Sequence, residues 1–197
     1  MTFRDDILTP PNLVSALRLL LAPVLFALAF LQMPGWFLAV LMFSGFTDVL
    51  DGILARSLHL TSPLGAHLDS WGDFTNYITM AICAWVLWPA QTQQVLLPYL
   101  LILASFLLPA LAGLVKFGSF TGYHTWAVKI AVVWTFLAYL LFYGGYAAWP
   151  FVAASVLCVI AGVEEILITL VLRHNRTDVR SLFMAWHLRH EAQDGSG

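Results

Sequence analysis

Apolar residues run through this chain in long stretches, and the polar positions gather at the seams between them. Six stretches stand out: Leu13–Leu31, Trp36–Ala55, Gly65–Trp88, Val95–Val115, Trp126–Ala147 and Phe151–Leu172. Each has roughly the 20 residues that a helix needs to cross a hydrocarbon core. The pattern predicts an all-α polytopic bundle of six transmembrane helices. Residues 1–12 are a polar N-terminal segment, 13–172 the membrane domain and 173–197 a tail. Nothing is left over for a separate soluble domain. Pro10-Pro11-Asn12 interrupts any preceding helix and leaves Asn12 as an N-cap. Met33-Pro34-Gly35 predicts a tight turn, making the first two spans an antiparallel pair. Pro109 should kink the fourth span, with Ser105 placed to satisfy the freed carbonyl.

Composition agrees with the pattern. The chain is 60% hydrophobic and 10% charged over 197 residues, with a mean hydropathy of +0.83. The net charge of −2 says little, but the placement of the cations says more. If the N-terminus is cytoplasmic, Arg4, Arg18, Arg56, Lys116, Lys129, Arg173, Arg176, Arg180 and Arg189 all fall at or near that side. The opposite loops, around Gln32–Gly35, Pro89–Gln94 and Gly144–Pro150, carry no charge, as the positive-inside rule requires. Trp36, Trp88 and Trp149 border them like an aromatic belt. The predicted setting is a bacterial inner membrane, with both termini and any polar site on the cytoplasmic face. Arg18 inside the first span argues against a cleaved signal peptide. Cys83 and Cys158 lie within spans and read as buried small residues. In the tail, Val179, Leu182, Phe183 and Trp186 recur at helical spacing, which predicts a short amphipathic helix on the membrane surface, capped by Thr177 or Asp178.

Four acids break the apolar pattern: Asp48, Asp51, Asp69 and Asp73. A carboxylate inside a membrane segment is costly, so its default reading is functional. Asp48 and Asp51 share one face of the second helix, with Gly52 and Ala55 continuing it, and Gly65, Asp69 and Asp73 form a stripe on the third. The short link between these helices brings the two stripes together. Four converging carboxylates must be protonated or neutralised. Mg²⁺ does this with oxygen ligands and usually shares them with substrate phosphates. The glycines would admit a diphosphate close to the backbone, and Arg56 could pair with a phosphate.

The run Asp48-x2-Asp51-Gly52-x2-Ala55-Arg56-x8-Gly65-x3-Asp69-x3-Asp73 resembles, at every fixed position, the signature of the CDP-alcohol phosphatidyltransferases. Pro11-Asn12-Leu-Val-Ser15-Ala-Leu-Arg18 is similar to the opening of that family's first helix. The resemblance implies a reaction in which a hydroxyl attacks the β-phosphorus of a CDP-linked donor, usually CDP-diacylglycerol, and CMP leaves. It implies that Asp48, Asp51 and Asp69 hold two Mg²⁺ or Mn²⁺ ions, with Asp73 at the edge of the cluster as the base. Gly52, Ala55, Arg56 and Gly65 would line the CDP pocket, with Asn12 and Ser15 as further contacts. Membrane lipids and a polar alcohol are the implied partners, a homodimer is the implied assembly, and nucleic acid is not expected.

The acceptor alcohol stays open. Asp69-Ser70-Trp71-Gly72-Asp73-Phe74 departs at Ser70 and Phe74 from the Asp-Pro-x-Ala-Asp-Lys pattern of the glycerol-3-phosphate enzymes. Lys116, His124 and Lys129 cluster between spans four and five. They suit either inner-leaflet anchoring or contact with an acceptor or donor phosphate. Gly122-Tyr-His124-Thr125 could cap the fifth span. Glu164 and Glu165 diverge by about 100° on a helix, and one of them should face the bundle to pair with Lys129 or Arg18. A cation channel would continue its polar lining towards the outer face, where this chain is apolar. A membrane prenyltransferase would lack the Asp-Gly-x2-Ala-Arg core.

Overall fold

The computed structural model describes residues 10–57, 63–118, 123, 125–172, 179 and 181–186, and for 10–15, 48–57, 63–70 and 73 the backbone alone. Among the described residues there is no strand: helices alternate with short turns. Seven helices follow in order: α1 (Pro10–Phe30), α2 (Pro34–Ser57), α3 (Pro63–Leu87), α4 (Pro89–Gln94), α5 (Leu96–Phe117), α6 (Trp126–Tyr143) and α7 (Trp149–Val171). Six of them correspond to the six apolar runs. Three, α5, α6 and α7, are long and apolar enough along their described lengths to cross a membrane. In α1, α2 and α3 the described apolar stretches are shorter: Ala16–Phe30, Pro34–Thr47 and Phe74–Leu87.

Local chemistry explains where the helices end, and in places it differs from the sequence expectation. α1 begins at Pro10, so both prolines and Asn12 lie inside its first turn and Asn12 is not the N-cap. Proline is tolerated there because first-turn amides have no intrahelical partner in any case. The turn before α2 is Leu31-Gln32-Met33, earlier than Met33-Pro34-Gly35. Gln32 takes a positive φ of 54°, its amide bonds Ala29 O, and the Met33 amide bonds Leu28 O. Gln32 Nε2 then donates to Val86 O at 3.2 Å, tying this turn to the end of α3. The uncharged stretch after α3 is itself a short helix, α4, braced by Thr92 Oγ1 donating to Ala84 O. α6 stops at Tyr143, short of Ala147, where Gly144 and Gly145 follow.

The chain divides into two compact units, Met1–Thr92 and Gln93–Gly197. In the first, α1 packs along both α2 and α3. Its core is Ala22, Leu25 and Ala29 of α1, Phe37 and Leu41 of α2, and Met80, Cys83 and Ala84 of α3. Phe37 meets Trp88 edge to face at 5.8 Å.

In the second unit, α7 packs against α5 and α6. α5 and α7 come close at Gly162, where a Cβ would stand 3.0 Å from Ser105 O. That carbonyl is the one Pro109 deprives of its helical donor. It rests on bare glycine backbone, while the Ser105 hydroxyl bonds Ile102 O at 2.7 Å and so does not serve the freed carbonyl. Cys158 is buried, as expected, and shares a 3.1 Å hydrogen bond with Thr135.

The tail is helical where its periodicity predicts an amphipathic helix, and part of its apolar face packs against the protein. Among the described tail residues, 182–186 are helical, with Ser181 Oγ accepting from the Met184 amide; Thr177 and Asp178 lie outside the described residues. Val179 and Ala185 are buried in a cluster with Tyr123, Ile168 and Leu172, and Leu182 packs beside them. Phe183 and Trp186, which the periodicity places on the same stripe, are exposed. The stripe divides because Val179 and Ala185 dock onto protein, leaving only Phe183 and Trp186 facing outward.

Candidate active site

The four acids sit on helix backbone: Asp48 and Asp51 on α2, Asp69 and Asp73 on α3, with Gly52, Ala55, Arg56 and Gly65 on the same two helices. Asn12 and Ser15 lie in the first turns of α1. The side chains of all ten are outside the described residues, and so is His124 entirely. The register of the helices still decides which faces meet. At about 100° per residue, Ser44, Asp48, Asp51 and Ala55 fall within about 60° of arc on α2. Gly65, Asp69, Gly72 and Asn76 fall within about 60° on α3, with Asp73 about 40° beyond Asp69.

The described contacts join those two faces. Ser44 Oγ and the Asn76 side chain are hydrogen-bonded, at 3.3 Å from Nδ2 and 3.4 Å to Oδ1. Ser44 is fully buried and stands one turn before Asp48, while Asn76 stands one turn after Asp73. Two buried threonines stand one turn further along these helices, each bonded to its own helix. Thr47 Oγ1 donates to Ser44 O at 2.7 Å, and Thr79 Oγ1 donates to Thr75 O at 2.8 Å. Sequence reasoning missed this floor of small polar residues. The available signal was that Ser44 and Asn76 continue the acid stripes at i−4 and i+3 into otherwise apolar helix.

The third wall is α1. Arg18 is 1% exposed, and its guanidinium lies over Gly72, which separates Asp69 from Asp73 in sequence. A Cβ at Gly72 would be 3.2 Å from Arg18 Nη1 and 3.3 Å from its Cδ, so a larger residue there would press on the arginine side chain and make it give by a few tenths of an ångström. Trp71 and Phe74 point away from this face, both exposed and in edge contact at 6.1 Å.

The basic residues of the second unit have other contacts. Lys116 Nζ donates to Leu170 O at 2.8 Å, capping the end of α7 where carbonyls lack partners. Lys129 Nζ lies over the Trp126 ring at 5.2 Å. Thr125 caps α6 by accepting from the Val128 amide, as the Gly122–Thr125 sequence suggested. The glutamate doublet serves neither of its expected partners in the described bonds. Glu165 accepts the Tyr123 amide at 3.2 Å and Glu164 accepts the Leu182 amide at 3.2 Å. Their divergence on the helix sends one acid to the turn before α6 and the other to the tail. Tyr123 OH then accepts from Thr169 Oγ1, so α7 holds that turn at two points.

Among the described residues no group of three or more His, Cys, Asp or Glu could hold a metal. The four aspartate positions lie on the two helix arcs that the Ser44–Asn76 hydrogen bond joins, and carboxylates are the hard oxygen donors that Mg²⁺ or Mn²⁺ takes.

A family model described as CDP-alcohol phosphatidyltransferase matches residues 8–176. A Mycobacterium tuberculosis protein named "Putative cardiolipin synthase" is 39% identical over 80 residues, 40% of this chain and 38% of the relative. A Pseudomonas fluorescens CDP-diacylglycerol–glycerol-3-phosphate 3-phosphatidyltransferase is 42% identical over 66 residues, 32% of this chain and 34% of the relative. A Streptomyces coelicolor cardiolipin synthase (CMP-forming) is 41% identical over 75 residues, 35% of each chain. The match thus spans little more than a third of the length of these relatives. No solved structure matches the chain.

Proposed function

The chain belongs to the CDP-alcohol phosphatidyltransferase family, and from that premise we propose that it transfers the phosphatidyl group of CDP-diacylglycerol to an alcohol, releasing CMP. The observation that carries this reading is the complete acid motif on two helix faces joined by the Ser44–Asn76 hydrogen bond. In this reading all six long helices cross the membrane, with the aspartate end and both termini on the inner side, and two chains assemble as a dimer.

Asp48, Asp51 and Asp69, with Asp73 at the edge of the cluster, would hold two divalent ions, whose charge would offset that of the diphosphate and of the departing CMP oxygen. Gly52, Ala55 and Gly65 let the cytidine diphosphate lie against helix backbone, and Arg56 pairs with its phosphate, with Asn12 and Ser15 beside it. The acceptor hydroxyl oxygen attacks the β-phosphorus. Asp73, about 40° round the helix from Asp69, takes the proton. A new phosphorus–oxygen bond forms as the bond to the CMP oxygen breaks.

The acceptor we favour is the free headgroup hydroxyl of phosphatidylglycerol, which would make cardiolipin. Two of the three relatives described above are named for that product. Glycerol-3-phosphate is the second reading, supported by the Pseudomonas relative. Purified protein with CDP-diacylglycerol, Mg²⁺ and each acceptor in turn decides between them by CMP release and product mass. Release with phosphatidylglycerol alone is the expected result. Release with glycerol-3-phosphate alone would overturn the acceptor, and no release with any alcohol would overturn the donor. Asp69→Asn and Asp73→Asn should each lower CMP release at least about a hundredfold; wild-type rates would remove those residues from the chemistry.

A further inference from the structure

A fully buried arginine in an apolar bundle is costly unless an anion compensates it. Arg18 is such a residue, and Gly72 is the space made for it. Gly72 is three residues after Asp69, and positions at i and i+3 are neighbours on a helix surface. Ala22, Leu25 and Ala29 continue the Arg18 face of α1 as a buried apolar stripe, so Arg18 starts from the inward face of the helix. The same arc of α3 is fixed from the other side by Asn76 on Ser44. A permanent positive charge is thereby held within one helical turn of the Asp69 and Asp73 backbone.

We propose that Arg18 is a positioning residue for the acid cluster, the built-in counter-charge that lets the α2 and α3 stripes stand together before divalent ions bind. It touches no reacting atom. Its charge offsets the mutual repulsion of the acids in the metal-free protein, and it becomes surplus once metal is present. The inference rests on the metal-holding role of the aspartates proposed above.

The test is thermal unfolding of the full chain in detergent, with EDTA and across an Mg²⁺ titration. Arg18→Gln should unfold at lower temperature than wild type in EDTA and should regain more of the difference with Mg²⁺. Its half-saturating Mg²⁺ concentration should fall about tenfold, the size of a close charge coupling. Arg18→Lys, which keeps the charge, should titrate with Mg²⁺ as wild type does. In EDTA, Asp69→Asn should cost less in the Arg18→Gln background than in wild type. Equal Mg²⁺ responses in wild type and Arg18→Gln, or strictly additive substitutions, would show that Arg18 only fills space. If Arg18→Gln alone does not fold, recovery of folded protein in the Arg18→Gln, Asp69→Asn pair supports the proposal, and failure of the pair overturns it. Wild type that ignores Mg²⁺ would defeat the metal reading. The coupling measured in EDTA would still decide the Arg18–Asp69 relation by itself.

Discussion

Glu165 shows how a single side chain can hold a turn in place. Its carboxylate accepts the amide of Tyr123, a residue 1% exposed, so that amide has no water to turn to. Glu165→Gln keeps an acceptor oxygen and should unfold near the wild-type temperature. Glu165→Leu strands the amide and should cost about 1–3 kcal/mol, read as a lowered midpoint in thermal unfolding. Equal loss in both variants would mean that charge, not the hydrogen bond, matters. The sequence marked Glu164 and Glu165 as anomalous because two acids stand in an apolar run. It could not reveal their partners, because those are backbone amides of distant segments and every residue but proline carries one. The aspartates were legible for the opposite reason: their message is in spacing, and spacing survives in the sequence.

At the scale of elements, the helices were legible because apolar runs of spanning length leave little choice. The helix ends were less so. Pro10 starts α1 where the sequence suggested a stop, because a first turn forgives proline. α4 escaped notice because Pro-Ala-Gln-Thr-Gln-Gln has no apolar period to read. α6 depends on its cap: Thr125→Ala should cost about 1 kcal/mol and Thr125→Ser close to nothing, measured by thermal unfolding. The tail misled in an instructive way. Ala185 is too small to register as part of an apolar face, yet it is fully buried, whereas bulky Phe183 is exposed. Ending the chain before Val179 should therefore uncover Tyr123, Ile168 and Leu172, and lower the unfolding temperature. A surface helix touching only lipid would leave that temperature unchanged.

For the whole molecule, the charge map and the helix order make one prediction about topology. Cys83 and Cys158 are buried, so the natural chain should be nearly silent to a membrane-impermeant maleimide. Met33→Cys and Tyr146→Cys, in exposed turns, should label in intact cells. Trp186→Cys in the tail should label only after the membrane is opened. Labelling of Trp186→Cys from outside would invert the arrangement and move the aspartates to the wrong face for a cytoplasmic nucleotide. The contacts of α7 also carry a timetable. Glu165 lies 42 residues downstream of the turn it holds, and Leu182 follows Glu164 by a further 18. At about 5–20 residues per second of synthesis, Tyr123 waits roughly 2–8 s for its acceptor to be made. The turn before α6 is born early and set late, so a ribosome stalled within α7 would leave a chain that is inserted but unfinished.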